Sequence, residues 1–224
     1  MTAVDLVWIT PDAEKLVGKI ARVSNPANED NPNVERLIRY LIKHKHWSPF
    51  EMVSMCCEIK TTRAIAAQIL RHRSFSFQEF SQRYAEPVAE FPFTVPQLRL
   101  QDKTNRQNSL DELDDHVAAR FRKRILDQFT ENKQLYQDMI DEGIAKECAR
   151  AVLPLNTDTR LYMSGTLRSW LHYVDLRSAN GTQAEHREIA LLIQDILKQQ
   201  VPVLYSAMFL DDSQTKTGTT PVSA

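Results

Sequence analysis

Residues 68–84 read QILRHRSFSFQEFSQRY and set Arg71, His72, Arg73, Glu79 and Arg83 among Phe75, Phe77 and Phe80. Exposed polar stretches seldom hold so many phenylalanines, and buried ones seldom hold arginines without anionic partners. A flat anion such as a nucleotide accounts for both habits, because guanidinium groups fork onto phosphate oxygens and stack on rings. By composition alone a plainer reading stands beside it: basic residues at the end of a helix meet the helix dipole.

Upstream, Thr61 and Thr62 cap a helix expected from Arg63 to about Arg73, which would put Gln68, Arg71, His72 and Phe75 on one face. Arg71 and Arg73 then diverge and serve different ligands or subunits unless the helix ends at Arg73. Before it, Val53, Met55, Cys57 and Ile59 alternate with polar residues, as in a half-buried strand. Residues 4–9 predict a first strand. Thr10-Pro11 and Asn31-Pro32 read as helix starts, followed by the apolar stripes Leu16, Val17, Ile20, Ala21 and Val34, Leu37, Ile38, Leu41, Ile42. Pro49 is expected to stop the second of these helices.

Downstream, residues 87–108 read as a long loop, with a short strand near 91–95 as an option. A helical period runs through residues 110–142 and stops at Gly143, and a second helix spans 145–152. Residues 159–165 fit a strand or a helix. Thr166 then caps a helix to about Arg177, with Leu167, Trp170, Leu171 and Val174 on its buried face and Arg168, His172 and Asp175 on a polar one. Residues 185–199 resume as helix, and the polar stretch 211–224 is expected to be disordered.

Charge is balanced, with 28 Lys plus Arg against 29 Asp plus Glu, so a general polyanion footprint is missing and nucleic-acid binding is not expected. A single-stranded nucleic-acid platform built on residues 71–83 is the binding-module alternative, and the balance weighs against it. Cys56, Cys57 and Cys148 make an odd set that suits a reducing cytoplasm, not a disulfide framework, and no metal-site spacing occurs. Neither an export signal nor a stretch of eighteen apolar residues is present, so no membrane association is expected.

The pattern Arg71-His72-Arg73, seven residues, Ser81 resembles the motif of the flavin-dependent thymidylate synthases. Further similar stretches follow in family order: His46 to Glu51 (HWSPFE), Ala149 to Leu155 (ARAVLPL), Leu167-Arg168-Ser169 and Asp175-Leu176-Arg177. The resemblance implies an α+β fold with a twisted, mainly antiparallel sheet flanked by helices, one domain over residues 1–210, and a homotetramer with sites at subunit junctions. It also implies reductive methylation of dUMP to dTMP, with FAD reduced by NADPH and methylenetetrahydrofolate as carbon donor. A flavin enzyme of the same fold that oxidises NADPH without methylating anything is the other redox reading.

Carried over by motif, Arg71, His72, Arg73, Glu79, Arg168 and His172 would bind the flavin, and His46 and Ser48 would contact the flavin or guard the folate entrance. Gln68, Ile69, Leu70 and Arg71, the loop Glu79, Phe80, Ser81, Gln82 and Arg83 from another subunit, Arg150, and Arg177 would bind dUMP. Arg177 would also be catalytic, holding negative charge on the uracil ring as carbon 5 is activated. Ser81 is expected to hydrogen-bond near the phosphate, since no local feature supplies the base a serine nucleophile needs. Cys148 is expected to be a buried small hydrophobe and not a catalytic thiol. Thr166 and His172 stand where members of the family carry asparagine.

Overall fold

The computed structural model describes residues 2–86 and 92–210. In chain order these form β1 (Ala3–Ile9), α1 (Ala13–Ala21), α2 (Glu35–Lys43), β2 (Ser54–Thr62), α3 (Arg63–Ile69), β3 (Ser76–Glu79), β4 (Leu100–Gln101) and β5 (Ser109–Leu110). They continue with α4 (Asp115–Asp141), α5 (Lys146–Ala149), β6 (Asp158–Thr166), α6 (Leu167–Arg177), α7 (Ala184–Gln200) and α8 (Pro202–Phe209). The expected tail lies outside the described residues, as does part of the optional strand near 91–95; within it, Phe93 makes one isolated bridge to Thr157.

One antiparallel sheet in the order β1-β2-β6-β3 forms the centre. β6 pairs with β2 from Ser54↔Thr166 to Thr62↔Asp158, which settles residues 159–165 as a central strand. Alternation places Met55, Cys57, Ile59, Leu161 and Met163 on one face, all fully buried. The helices cover that face with Val17, Ile38, Ile65, Ile69, Trp170, Leu171, Ile189, Ile193 and Leu204. The fold is therefore α+β, with an antiparallel sheet flanked by helices.

Several local expectations change. α3 ends at Ile69, not near Arg73: the N–H groups of Arg71 and His72 turn to the carbonyls of Gln68 and Ile69, a tightening that closes the helix. The chain then re-enters the sheet as β3, an edge strand too short and polar to show a pattern, with Phe77 packed on the core. Thr10 is no cap; its hydroxyl bonds both the N–H and the carbonyl of Ser54 (2.9 and 3.2 Å), pinning β1 to β2. Asp12 and Val34 precede α1 and α2 without side-chain caps, and α2 stops at Lys43, before Lys45 takes a left-handed φ of 56°. Pro49 instead opens a 3₁₀ turn.

Two caps are as expected in kind. Thr62 accepts from the N–H of Ile65, and Thr166 from that of Ser169, so α3 and α6 spring directly from the ends of adjacent strands. Residues 92–110 contain the β4–β5 hairpin, whose turn is organised by Asp102. Backbone N–H groups of Asn105 and Thr104 and the Asn108 amide hold that carboxylate far below its ordinary range. α8 had no expected counterpart.

Candidate active site

Because α6 leaves β6 at Thr166, its first turn is fixed by Leu167 N–H on the Val53 carbonyl and by the Trp170 indole N–H on the Met55 carbonyl (3.0 Å). The opposite, polar face therefore has a set direction. Arg168, Ser169, His172 and Asp175 line one side of a cleft of about 700 Å³, and Lys45, Trp47, Glu51 and Ser74 line the other. Arg168 pairs with Glu51 across it. His46 and Ser48 flank Trp47 and are exposed.

At the far end of α6, the Arg177 Nε–H donates to His72 Nε2 at 2.9 Å. His72 also meets the Tyr173 ring edge-on. Burial first, then the charges of Arg177 and His172, push the His72 imidazole down to about 4, so it is neutral near pH 7 and its Nε2 lone pair is available to Arg177. Among the described residues no carboxylate lies within ion-pair distance of Arg177, Arg71, Arg73 or Arg150. Arg71 and Arg73, on either side of His72, and Arg177, bonded to it, form a local positive field that the balanced total charge conceals.

The remaining candidates fall elsewhere. Ser169 Oγ donates to the Ser74 carbonyl, so Arg73 and Ser74 sit against α6. β3 then runs away from that point: Ser76 pairs with Ser164, but Glu79 pairs with Leu161. Glu79 receives Arg63 (3.2 Å) and the Thr159 hydroxyl (3.0 Å). Beyond it, Arg83 is tied to the Glu147 carboxylate (2.9 Å) and Arg150 Nε–H points to the Glu147 carbonyl. The extended strand alone carries the chain about 10 Å, so Arg73 and Ser81 lie off its two ends.

Ile69 is fully buried and Gln82 only 5% exposed, whereas Leu70 is at the surface; from Ile69 only main chain is left to offer a ligand. Phe80 is half-buried and its N–H bonds the Arg160 carbonyl. The Ser81 hydroxyl accepts from the Arg83 N–H at 3.4 Å, and among the described residues no base is hydrogen-bonded to it. Cys148 is exposed, contrary to expectation, because α5 is a short surface helix that buries only Ala149. Cys57 is buried, and burial pushes its thiol up to about 12.

Sequence reasoning missed a line of polar groups behind Arg177 that runs from the buried Tyr173 and His186 out to the exposed Gln183. The Tyr173 hydroxyl and His186 Nε2 are 3.0 Å apart, His186 Nδ1 is 3.3 Å from Gln68 Oε1, and Gln68 Nε2 is 2.7 Å from Gln183 Oε1. His186 sits one turn before Ile189 and Ala190 on the apolar face of α7, the only sequence signal it offered. Arg99, Gln183 and Glu185 had none.

This sheet, these helices and the clustered basic groups are those of a known class. A family model described as thymidylate synthase complementing protein matches residues 5–203, and the chain belongs to that family, the flavin-dependent thymidylate synthases. A flavin-dependent thymidylate synthase of Synechocystis is 50% identical over 195 residues, covering 87% of this chain and 89% of its own. A probable one from Paramecium bursaria Chlorella virus 1 is 48% identical over 197 residues, with 88% and 90% covered. Among solved structures, a UMP/dUMP methylase, PolB, from Streptomyces cacaoi bound with 5-Br dUMP superposes with a TM-score of 0.79 at 31% identity, covering 92% of this chain and 94% of that one. The same enzyme bound with 5-Br UMP gives 0.80 at 28% identity, covering 92% and 93%.

Proposed function

We propose that the protein converts dUMP to dTMP by reductive methylation, as a flavin-dependent thymidylate synthase. The observation that carries this is Arg177: a guanidinium with no carboxylate partner among the described residues, held through Nε by a neutral histidine, its terminal N–H groups left for a ligand. Such a group stabilises negative charge on a uracil carbonyl as carbon 5 becomes nucleophilic, and being unable to deprotonate it acts as a charge and not as a base.

The residues present fit a flavin. The cleft has the size of small-molecule sites and combines the Trp47 ring, the Arg168 guanidinium, the His172 imidazole and the Ser74 and Ser169 hydroxyls, which suit a ring system carrying phosphates. Arg168, His172, His72, Arg71 and Arg73 would hold it, with His46 and Ser48 at the rim and Glu79 contributed at a second end. When bound, NADPH-reduced FAD supplies the hydride that completes the methyl group, and methylenetetrahydrofolate supplies the carbon. The protein's own part is to hold dUMP through Gln68 to Arg71, Phe80 to Arg83 and Arg150, and to keep Arg177 aimed at its ring.

Two features support an oligomer, in this reading a homotetramer. Arg73 and Ser81 sit off opposite ends of β3, so a second copy that sets its Ser81 end beside Arg73 would gather both into one compact site. In addition, α4 buries only Tyr136, leaving Phe121, Leu126 and Leu135 40–49% exposed, apolar side chains that further chains would cover. Three free cysteines support a reducing, cytoplasmic setting.

The test is tritium release from dUMP labelled at carbon 5, with FAD and methylenetetrahydrofolate, with and without NADPH, and with labelled UMP run in parallel. Release that needs enzyme and NADPH is the expected result. NADPH consumption without release from either nucleotide refutes the methylation reading.

A further inference from the structure

The polar group behind Arg177 has a direction that one ion pair dictates. Arg99, only 11% exposed in its side chain, grips the Glu185 carboxylate with one nitrogen on both oxygens, at 2.8 and 2.9 Å. Burial would raise that carboxyl, but its own backbone N–H, the Gln183 amide and Arg99 together bring it below the ordinary value, so it is ionised and can only accept. The Gln183 atom 2.9 Å from it must then be the amide nitrogen, which turns the Gln183 oxygen toward Gln68.

The same logic passes down the chain. Facing an oxygen, Gln68 must present its NH₂, so its own oxygen faces His186. His186 Nδ1 must then carry the proton, leaving Nε2 to accept from the Tyr173 hydroxyl. Burial, followed by the charges of Arg177 and His72, pushes His186 down to about 4, so it is the neutral imidazole this order requires. Every donor along the line points toward Glu185, and bonds aligned in this way strengthen one another. The Gln68 amide is therefore locked at both ends, with one N–H and one oxygen lone pair left over.

We propose that the Arg99–Glu185 ion pair, acting through Gln183, is the positioning device that locks the Gln68 amide, and that the locked amide makes the site accept a uracil and refuse a cytosine. The inference rests on the reading of this site as a dUMP site. Uracil offers a donor at N3 and an acceptor at O4, whereas cytosine offers an acceptor and a donor at those positions, so a freely rotating amide serves both rings and a fixed one serves a single ring. Arg99, Gln183 and Glu185 act through Gln68 and are positioning residues, not catalytic ones.

The experiment titrates dUMP and dCMP into the FAD-loaded protein by calorimetry, so that turnover is not the readout. Gln183→Leu removes the middle link at an exposed position, and Arg99→Met removes the anchor. In both, the preference for dUMP over dCMP is expected to fall by about tenfold or more, the discrimination that one oriented hydrogen-bonding group supplies. The double variant Gln183→Glu with Glu185→Gln moves the carboxylate one link along, still presents an acceptor to Gln68, and is expected to restore most of the preference. An unchanged preference in Gln183→Leu and Arg99→Met, with dUMP still bound by the parent, overturns the relay while leaving the proposed function standing. A parent protein that binds neither nucleotide overturns both.

Discussion

Replacing His186 by glutamine isolates the acid sensitivity built into the site. The imidazole is fully buried and its value in the fold is about 4 against an ordinary 6.5, with burial the first cause and the charges of Arg177 and His72 next. A histidine depressed in the fold favours the folded state above its unfolded value, and that contribution is lost as pH falls from 6.5 through about 4. Integrated across that window the loss approaches about 3 kcal/mol, a large share of a domain's stability. Protonation at Nε2 would also force the Tyr173 hydroxyl to turn from donor to acceptor and leave its hydrogen seeking another partner. Urea denaturation followed by tryptophan fluorescence, repeated from neutral pH downward, should show the parent losing stability below pH 6.5 and the His186→Gln variant losing it much less steeply. His72 shifts in the same direction, from burial and then from Arg177 and His172, so part of the slope should persist. If parent and variant lose stability in parallel, the neutral buried imidazole is not the source and the reasoning fails.

Arg177→Lys keeps a charge but gives up the Nε–H held by His72, and should lower the rate of tritium release by about a hundredfold or more, as losing one oriented charge donor does; near-parental turnover would remove Arg177 from the chemistry. Gly165→Ala would place a methyl 2.5 Å from the Phe75 ring, itself packed edge-on against Trp170, and should lower stability by about 1–3 kcal/mol in thermal or chemical unfolding. If the proposed oligomer packs through α4, Phe121→Asp combined with Leu126→Asp, two of its exposed apolar side chains, should give smaller species than the parent in sedimentation without changing the circular dichroism of the chain.

Long periodic segments were legible because burial writes its period into them. α6 has the bounds its apolar stripe and Thr166 cap announced, and α7 differs from residues 185–199 by one position at each end. β3 was not legible: a four-residue edge strand with two polar outward positions carries too little alternation, and only pairing with β6 defines it. The end of α3 was misjudged for a related reason, since nothing in Gln-Ile-Leu-Arg-His breaks a helix; the return of the chain to the sheet does. The basic candidates were visible by type and spacing, whereas Arg99 and Glu185 stand 86 residues apart and meet only through tertiary packing. Thr10-Pro11 and Asn31-Pro32 misled because a cap-like residue can bond elsewhere, as Thr10 does.

The direction of β3 bears on how defects in this protein combine. With Arg71 to Arg73 off one end and Glu79 to Arg83 off the other, a chain damaged only at Arg177 keeps a sound second end, and a chain damaged only at Ser81 or Arg83 keeps a sound first end. In the shared-site reading, two such inactive proteins mixed and allowed to exchange protomers would reconstitute some intact sites, and a cell carrying both lesions on separate copies would grow where either alone fails. The strand would thereby turn a question about distance into one of genetic complementation.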